Sequence, residues 1–281
     1  MPDLAVLIPA LGATSWILVA LGALVVGFSK TALPGAGTIA VGIFALAMPA
    51  KESTAALLLL LIVGDMIALW VYRREPDVRT LLRLLPSAMI GVVIGAVYFA
   101  NVDGPAVQRT IGVILLVLMI VTVLRRRAAQ RTAAVGKAEE SALPPTRTAA
   151  ATEVETEGSR PGAAATAQGI GFGLLGGFTT MVANAAGPVM SMYFYAMRMP
   201  VMTFLGSSAW FFAIINLFKV PFSAGLGLLT RDTLVMDVVL IPVVLIGAFC
   251  GAKVARRIPQ QVFETLILAL TMIAAVSLLL L

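Results

Sequence analysis

Two ionisable residues stand where an apolar setting makes charge expensive. Lys30 separates the charge-free runs Leu4 to Ser29 and Thr31 to Ala50, and Asp65 lies near the middle of a third apolar segment. In hydrocarbon such side chains mark a binding or transport site, or pair with one another. Lys30 falls in a stretch where Gly and Pro break the helical pattern, Gly27-Phe28-Ser29-Lys30-Thr31-Ala32-Leu33-Pro34-Gly35-Ala36-Gly37-Thr38. A second break reads Gly176-Gly177-Phe178-Thr179-Thr180-Met181-Val182-Ala183-Asn184-Ala185-Ala186-Gly187-Pro188. Non-helical backbone at membrane depth is tolerated only against protein or a water-filled cavity, and paired breaks of this kind point to a solute site.

The chemistry suited to such breaks is anion binding. The helix that starts after each break has unpartnered N–H groups and the positive end of the backbone dipole, which an anion can accept. Gly35, Gly37 and Gly187 allow that approach, Ser29, Thr31, Thr38, Thr179, Thr180 and Asn184 offer neutral donors, and Lys30 adds a full positive charge. The competing reading is that the glycines serve close helix packing while Lys30 snorkels to an interface. Asp65 either pairs with Lys30 in the empty state or carries a coupling proton, a plain structural ion pair being the alternative. Its counterpart in the second half of the chain is Asn216. Lys219 and Asp237 fall nearer helix ends, where snorkelling accounts for them.

Other chemistries are excluded or disfavoured by what is missing. The chain has no histidine, which removes the commonest transition-metal ligand and the usual proton relay, and rules out Ser-His-Asp and Cys-His arrangements. No Gly-x-x-x-x-Gly-Lys-Ser/Thr phosphate loop occurs, so the chain cannot hydrolyse ATP by that means. The single cysteine, Cys250, lies in an apolar run and reads as a small hydrophobe. No enzyme activity, metal or cofactor is expected.

Composition sets the class. Of 281 residues, 60% are hydrophobic and 12% charged, against about 45–50% and about 25% in soluble domains. Several charge-free runs, including Leu84 to Val102, Pro161 to Met197 and Met199 to Phe218, match or approach the roughly 20 residues that cross hydrocarbon. The partner of this surface is the lipid bilayer, and the net charge of +6 reflects basic loops between spans, not nucleic-acid binding. The first apolar run is too long for a signal peptide, so no cleaved leader is expected.

The chain divides into a first membrane repeat, 1–124, a charged and disordered linker, 125–166, and a second membrane repeat, 167–281. Between Arg125 and Arg160 the linker holds seven basic and five acidic residues and Pro144-Pro145, without apolar periodicity. Met48-Pro49 aligns with Met199-Pro200, and Asp65 with Asn216, at an offset of 151; Pro86, Gly91 and Gly95 align with Pro242, Gly247 and Gly251 at 156. Each repeat shows five apolar segments, a to e, with a short segment b. Arg73, Arg74, Arg79 and Arg83 flank the c–d loop of the first repeat, whereas in the second Lys253, Arg256 and Arg257 flank the d–e loop. By the positive-inside bias equivalent segments point in opposite directions. The expected fold is therefore an all-α integral membrane protein of two inverted-topology repeats, with 8 to 10 transmembrane helices broken at the Gly-rich a/b junctions. The linker is cytoplasmic and both termini are periplasmic, in a bacterial inner membrane.

The duplicated break, Gly22-x4-Gly27 through Pro34-Gly35-Ala36-Gly37 and Gly173-x2-Gly176-Gly177 through Gly187-Pro188, resembles the sulfite exporter TauE/SafE family. So do Thr54 after Lys51-Glu52-Ser53, Gly206-Ser207-Ser208 with Asn216 downstream, and the Pro-x4-Gly-x3-Gly repeats. The resemblance spans both membrane blocks and omits the linker. It implies movement of sulfite, sulfonates, sulfoacetate or related small sulfur anions, and about eight spans; counting each a/b pair as re-entrant reconciles eight with ten segments. Lys30 in the first break and the long linker depart from the family's usual pattern. The expected function is secondary transport of a small anionic solute by alternating access, with a membrane scaffold or assembly protein, or an anion channel, as the alternatives. A homodimer is compatible with this reading.

Overall fold

The computed structural model describes residues 12–32, 36–103, 163–197 and 199–255, with scattered positions between 105 and 124. Eight helices organise these residues: α1 Ala13–Thr31, α2 Gly37–Ala47, α3 Ala50–Tyr72, α4 Val78–Asn101, α5 Ala163–Ala183, α6 Ala186–Ala196, α7 Val201–Gly225 and α8 Arg231–Ala255. There is no strand among the described residues. Segment e of the second repeat and nearly all of the linker lie outside them, as does Gly35. Helix α5 already begins at Ala163, inside the stretch assigned to the linker.

Apolar runs with no water to bond their backbone must satisfy it internally, which a helix does along its whole length. Five helices, α1, α3, α4, α7 and α8, are long and apolar enough to cross a membrane. Local signals set their starts. Pro49 and Pro200 occupy equivalent places before α3 and α7, and their carbonyls accept from Ser53 N at 2.9 Å and Phe204 N at 2.8 Å. Asp77 caps α4, accepting from Thr80 N at 3.2 Å and Thr80 Oγ1 at 2.7 Å, a side-chain partner for a first-turn donor. By contrast α2 and α6 have 11 residues each, about 16 Å of helix, half of what a span needs.

The short helices fold back on their predecessors. Gly22 of α1 lies beneath the ring of Phe44 on α2, and Gly176 of α5 beneath the Met190 terminal methyl on α6. Each pair is therefore a helical hairpin. Helices α3 and α7 cross antiparallel, as Asp65 meets Asn216 while Glu75 meets Gly206.

The remaining long helices pack across the two halves. α4 lies parallel on α5, and α8 parallel on α1. Gly91 of α4 faces Leu174 O and Phe178 N; Gly247 of α8 faces Leu24 O and Phe28 N. A Cβ at either glycine would collide with the facing carbonyl, so these helices approach backbone to backbone, as small residues permit in membranes. The contact sets correspond at an offset of 156 on one helix and 150 on the other. Because α5 is parallel to α4, and α4 reverses direction from α3 through a short loop, the two hairpins enter from opposite ends and meet at their tips.

Candidate functional site

The tips of both hairpins meet the crossing of α3 and α7. Lys30, in the last turn of α1, places Nζ 2.7 Å from Asp65 Oδ1 and 4.4 Å from the centre of the Phe212 ring, within cation–π range. The other carboxylate oxygen of Asp65 accepts from Asn216 Nδ2 at 2.6 Å. Asn216 in turn offers Oδ1 to Lys219 Nζ at 3.4 Å. Lys219 also donates to Thr180 Oγ1 at 3.3 Å and to Asn184 Oδ1. One network thus runs Lys30, Asp65, Asn216, Lys219, Asn184, joining α1, α3, α7 and the tip of the α5–α6 hairpin.

Local folding explains how the tips hold their positions. The tip of the second hairpin is closed by Asn184 at φ +49°, a left-handed conformation that asparagine tolerates better than most residues. Asn184 N donates to Thr180 O at 3.0 Å and Ala185 N to Thr179 O at 3.2 Å, satisfying carbonyls at the end of α5. The Asn184 side chain reaches across to Thr54 O on α3, 2.9 Å from Nδ2. On the first hairpin Tyr72 donates its hydroxyl to Thr31 O at 2.7 Å, and Thr31 Oγ1 donates to Ala248 O on α8 at 2.8 Å. Both tips are therefore tied to long helices.

A small cavity of about 20 Å³ lies between the tips, lined by Ser29, Lys30, Gly37, Thr38, Thr180, Asn184, Gly187 and Asn216, together with Leu61 and Phe212. Gly37 and Gly187 stand in the first turns of α2 and α6, so both short helices direct their N-terminal ends at one space.

The residues singled out from sequence thus fall into three groups. Ser29, Lys30, Gly37, Thr38, Thr180, Asn184, Gly187 and Asn216 surround the cavity, and Asp65 adjoins it through Lys30 and Asn216. Thr31 and Thr179 do not line it: Thr31 bonds α8, and Thr179 Oγ1 donates to Gly176 O of its own helix at 3.2 Å. Gly35 lies outside the described residues.

Two readings from sequence need correction. Lys219 does not snorkel; it is 1% exposed and points into the network. Its place three residues after Asn216 puts both on one helix face, a spacing that could have exposed it. Nor does Asp237 reach an interface, being buried within the packed face of α8. The apolar walls Leu61 and Phe212 carried no sequence signal, since nothing distinguishes them from other core residues. Among the described residues no group of acidic or cysteine side chains could hold a metal ion.

A chain with no strand among its described residues and several membrane-length helices, folded around buried charges at the meeting point of two helical hairpins, is a multi-pass membrane protein with a polar centre. Residues 19–278 match the family described as Sulfite exporter TauE/SafE. The chain belongs to that family, whose members are membrane transporters. No match to a curated protein or to a solved structure is found.

Proposed function

We propose that this chain is a secondary transporter of small sulfur-containing oxyanions, such as sulfite, sulfonates or sulfoacetate, that binds its solute between the hairpin tips and works by alternating access. The observation that carries the reading is Lys219. Its ammonium is buried with three neutral oxygens as partners, while Asp65, the one nearby carboxylate among the described residues, is already paired with Lys30. With both lysines protonated, two positive charges face one negative charge at the centre. A buried, uncompensated charge is costly, and an anion in the cavity offsets that cost. The Lys30 ammonium and the helix N-terminal N–H groups face the cavity as donors suited to an oxyanion, and Lys219 stands directly behind its lining residues Thr180, Asn184 and Asn216.

The cavity is narrow in this arrangement, with Phe212 and Leu61 among its walls. Phe212 and Leu61 would have to move aside as the solute enters. Two inverted-topology repeats fit the offset contacts of α4 on α5 and of α8 on α1, and re-entrant hairpins fit the 11-residue lengths of α2 and α6. The basic loop at Arg73 and Arg74 favours a cytoplasmic position for that end, with the linker on the same side and the termini periplasmic in a bacterial inner membrane.

Binding to the purified protein tests the reading. A ligand of the folded state raises its melting midpoint, by an amount equivalent to about 2.7 kcal/mol at 100 times Kd. Sulfite, sulfoacetate or taurine is expected to stabilise the wild type more than chloride does, and Lys30→Ala is expected to weaken the effect. No shift with any of these anions would favour a scaffold role.

A further inference from the structure

Among the described residues the central network leaves one buried carboxyl unused. Asp237 on α8 is 4% exposed, and neither side-chain oxygen has a hydrogen-bond partner among the described residues. It belongs to the buried stripe of α8 that includes Thr233, Met236, Leu240 and Val244, and this helix packs on α1 and α3. The charged residues of those helices are Lys30 on α1 and Lys51, Glu52 and Asp65 on α3. None of them pairs with Asp237, and neither do Arg231, Asp232 or Lys253 of its own helix. At the equivalent position, offset by 156, the first half carries Leu81, which is also buried. Packing at this site therefore asks only for an apolar side chain, and the carboxyl has to be explained by something else.

Among the described residues an ionised carboxylate on this stripe would have neither counter-charge nor donor, a costly state that draws in water. A carboxyl that holds its proton is compatible with a dry seam. That seam is tight, since a Cβ on Gly27 would collide with Val244 O. Two turns beyond Asp237, Val244 also faces Gly64, which adjoins both Lys30 and Asp65 in the fold. Opening or closing of the seam is thus transmitted to the hairpin that carries Lys30.

We propose that Asp237 is a proton-binding site that couples solute movement to proton movement. The proton passes from water to a carboxylate oxygen and returns to water, with no other bond made or broken. Protonated, Asp237 lets α8 close on α1 and α3; deprotonated, it hydrates the seam and frees the Lys30 hairpin. The coupling rests on the transport reading above, whereas the proton site itself does not.

Two measurements on the full chain in liposomes keep these apart. Infrared difference spectra between acidic and alkaline buffer are expected to contain the carbonyl band of a protonated carboxyl in an apolar setting, and Asp237→Asn is expected to abolish it. A band unchanged by the substitution overturns the proton site whatever the transport result. In the second measurement, wild type is expected to exchange labelled methanesulfonate, whose charge is constant with pH, and to accumulate it when a pH gradient is imposed. Asp237→Asn and Asp237→Leu, the latter copying Leu81, are expected to keep exchange and lose gradient-driven accumulation. Retained accumulation in a folded variant overturns the coupling. Wild-type protein that exchanges neither methanesulfonate nor sulfite counts against the transport reading, and the infrared result then still decides the proton site.

Discussion

Asn216 donates to Asp65 across 151 positions of chain, 2.6 Å from Nδ2 to Oδ2, and these are the two residues that correspond when the halves of the sequence are aligned. The contact lies at the crossing of α3 and α7, beside the tips of both hairpins. The pair is also where equivalence is broken. Two aspartates there would repel, whereas an asparagine donates to the carboxylate with its nitrogen and accepts from Lys219 with its oxygen, linking both lysines into one network.

Removing the carboxylate is expected to be severe. Asp65→Asn leaves Lys30 buried without its counter-charge, and breaking a buried pair from one side costs about 3–5 kcal/mol. The melting midpoint should fall, and Lys30→Met added to Asp65→Asn should restore much of it. A double variant no more stable than Asp65→Asn alone would show that the two charges do not depend on each other.

Lys219→Met should behave in the opposite way without ligand. It replaces a buried ammonium that has only neutral partners by an apolar chain of similar reach, so the empty protein should melt at the wild-type temperature or above. Stabilisation by sulfite should disappear. A variant that loses stability but keeps the sulfite response would give Lys219 a structural role instead.

The hairpin tip separates backbone from side-chain effects. Asn184→Ala forces alanine into the left-handed region at φ +49°, at a cost of roughly 1–2 kcal/mol, and loses the bonds to Thr54 O and Lys219. Asn184→Gly relieves the backbone but loses the same bonds. Thermal midpoints should rank wild type, then glycine, then alanine, with the anion response weakened in both variants.

Gly91→Ala and Gly247→Ala test the contacts between halves. Each methyl would meet a backbone carbonyl, of Leu174 and Leu24 respectively, which cannot rotate away as a side chain can. Overpacking of this kind costs about 1–3 kcal/mol, and similar losses of stability are expected at both positions. A neutral outcome at one of them would show that the two seams are not equivalent.

Membrane class, helix positions and the two Gly-rich breaks could be read from the chain alone, because charge-free runs, Pro49 and Pro200 before helices, and paired glycines are local signals. The pairing of Lys30 with Asp65 was also within reach, since two lone charges in apolar surroundings have few better options than each other. Lys219 and Asp237 show where such reasoning stops. Each lies several residues from a helix end, a distance over which a long side chain can either reach an interface or turn inward, and linear position does not distinguish these. Only the packing of α7 against both hairpin tips decides that Lys219 turns inward, and only the close seat of α8 on α1 and α3 decides that Asp237 is covered. Burial depends on which faces the neighbouring helices take, a property of contacts distant in sequence, and the meeting of two lysines with one carboxylate at the centre becomes visible only when those contacts are in place.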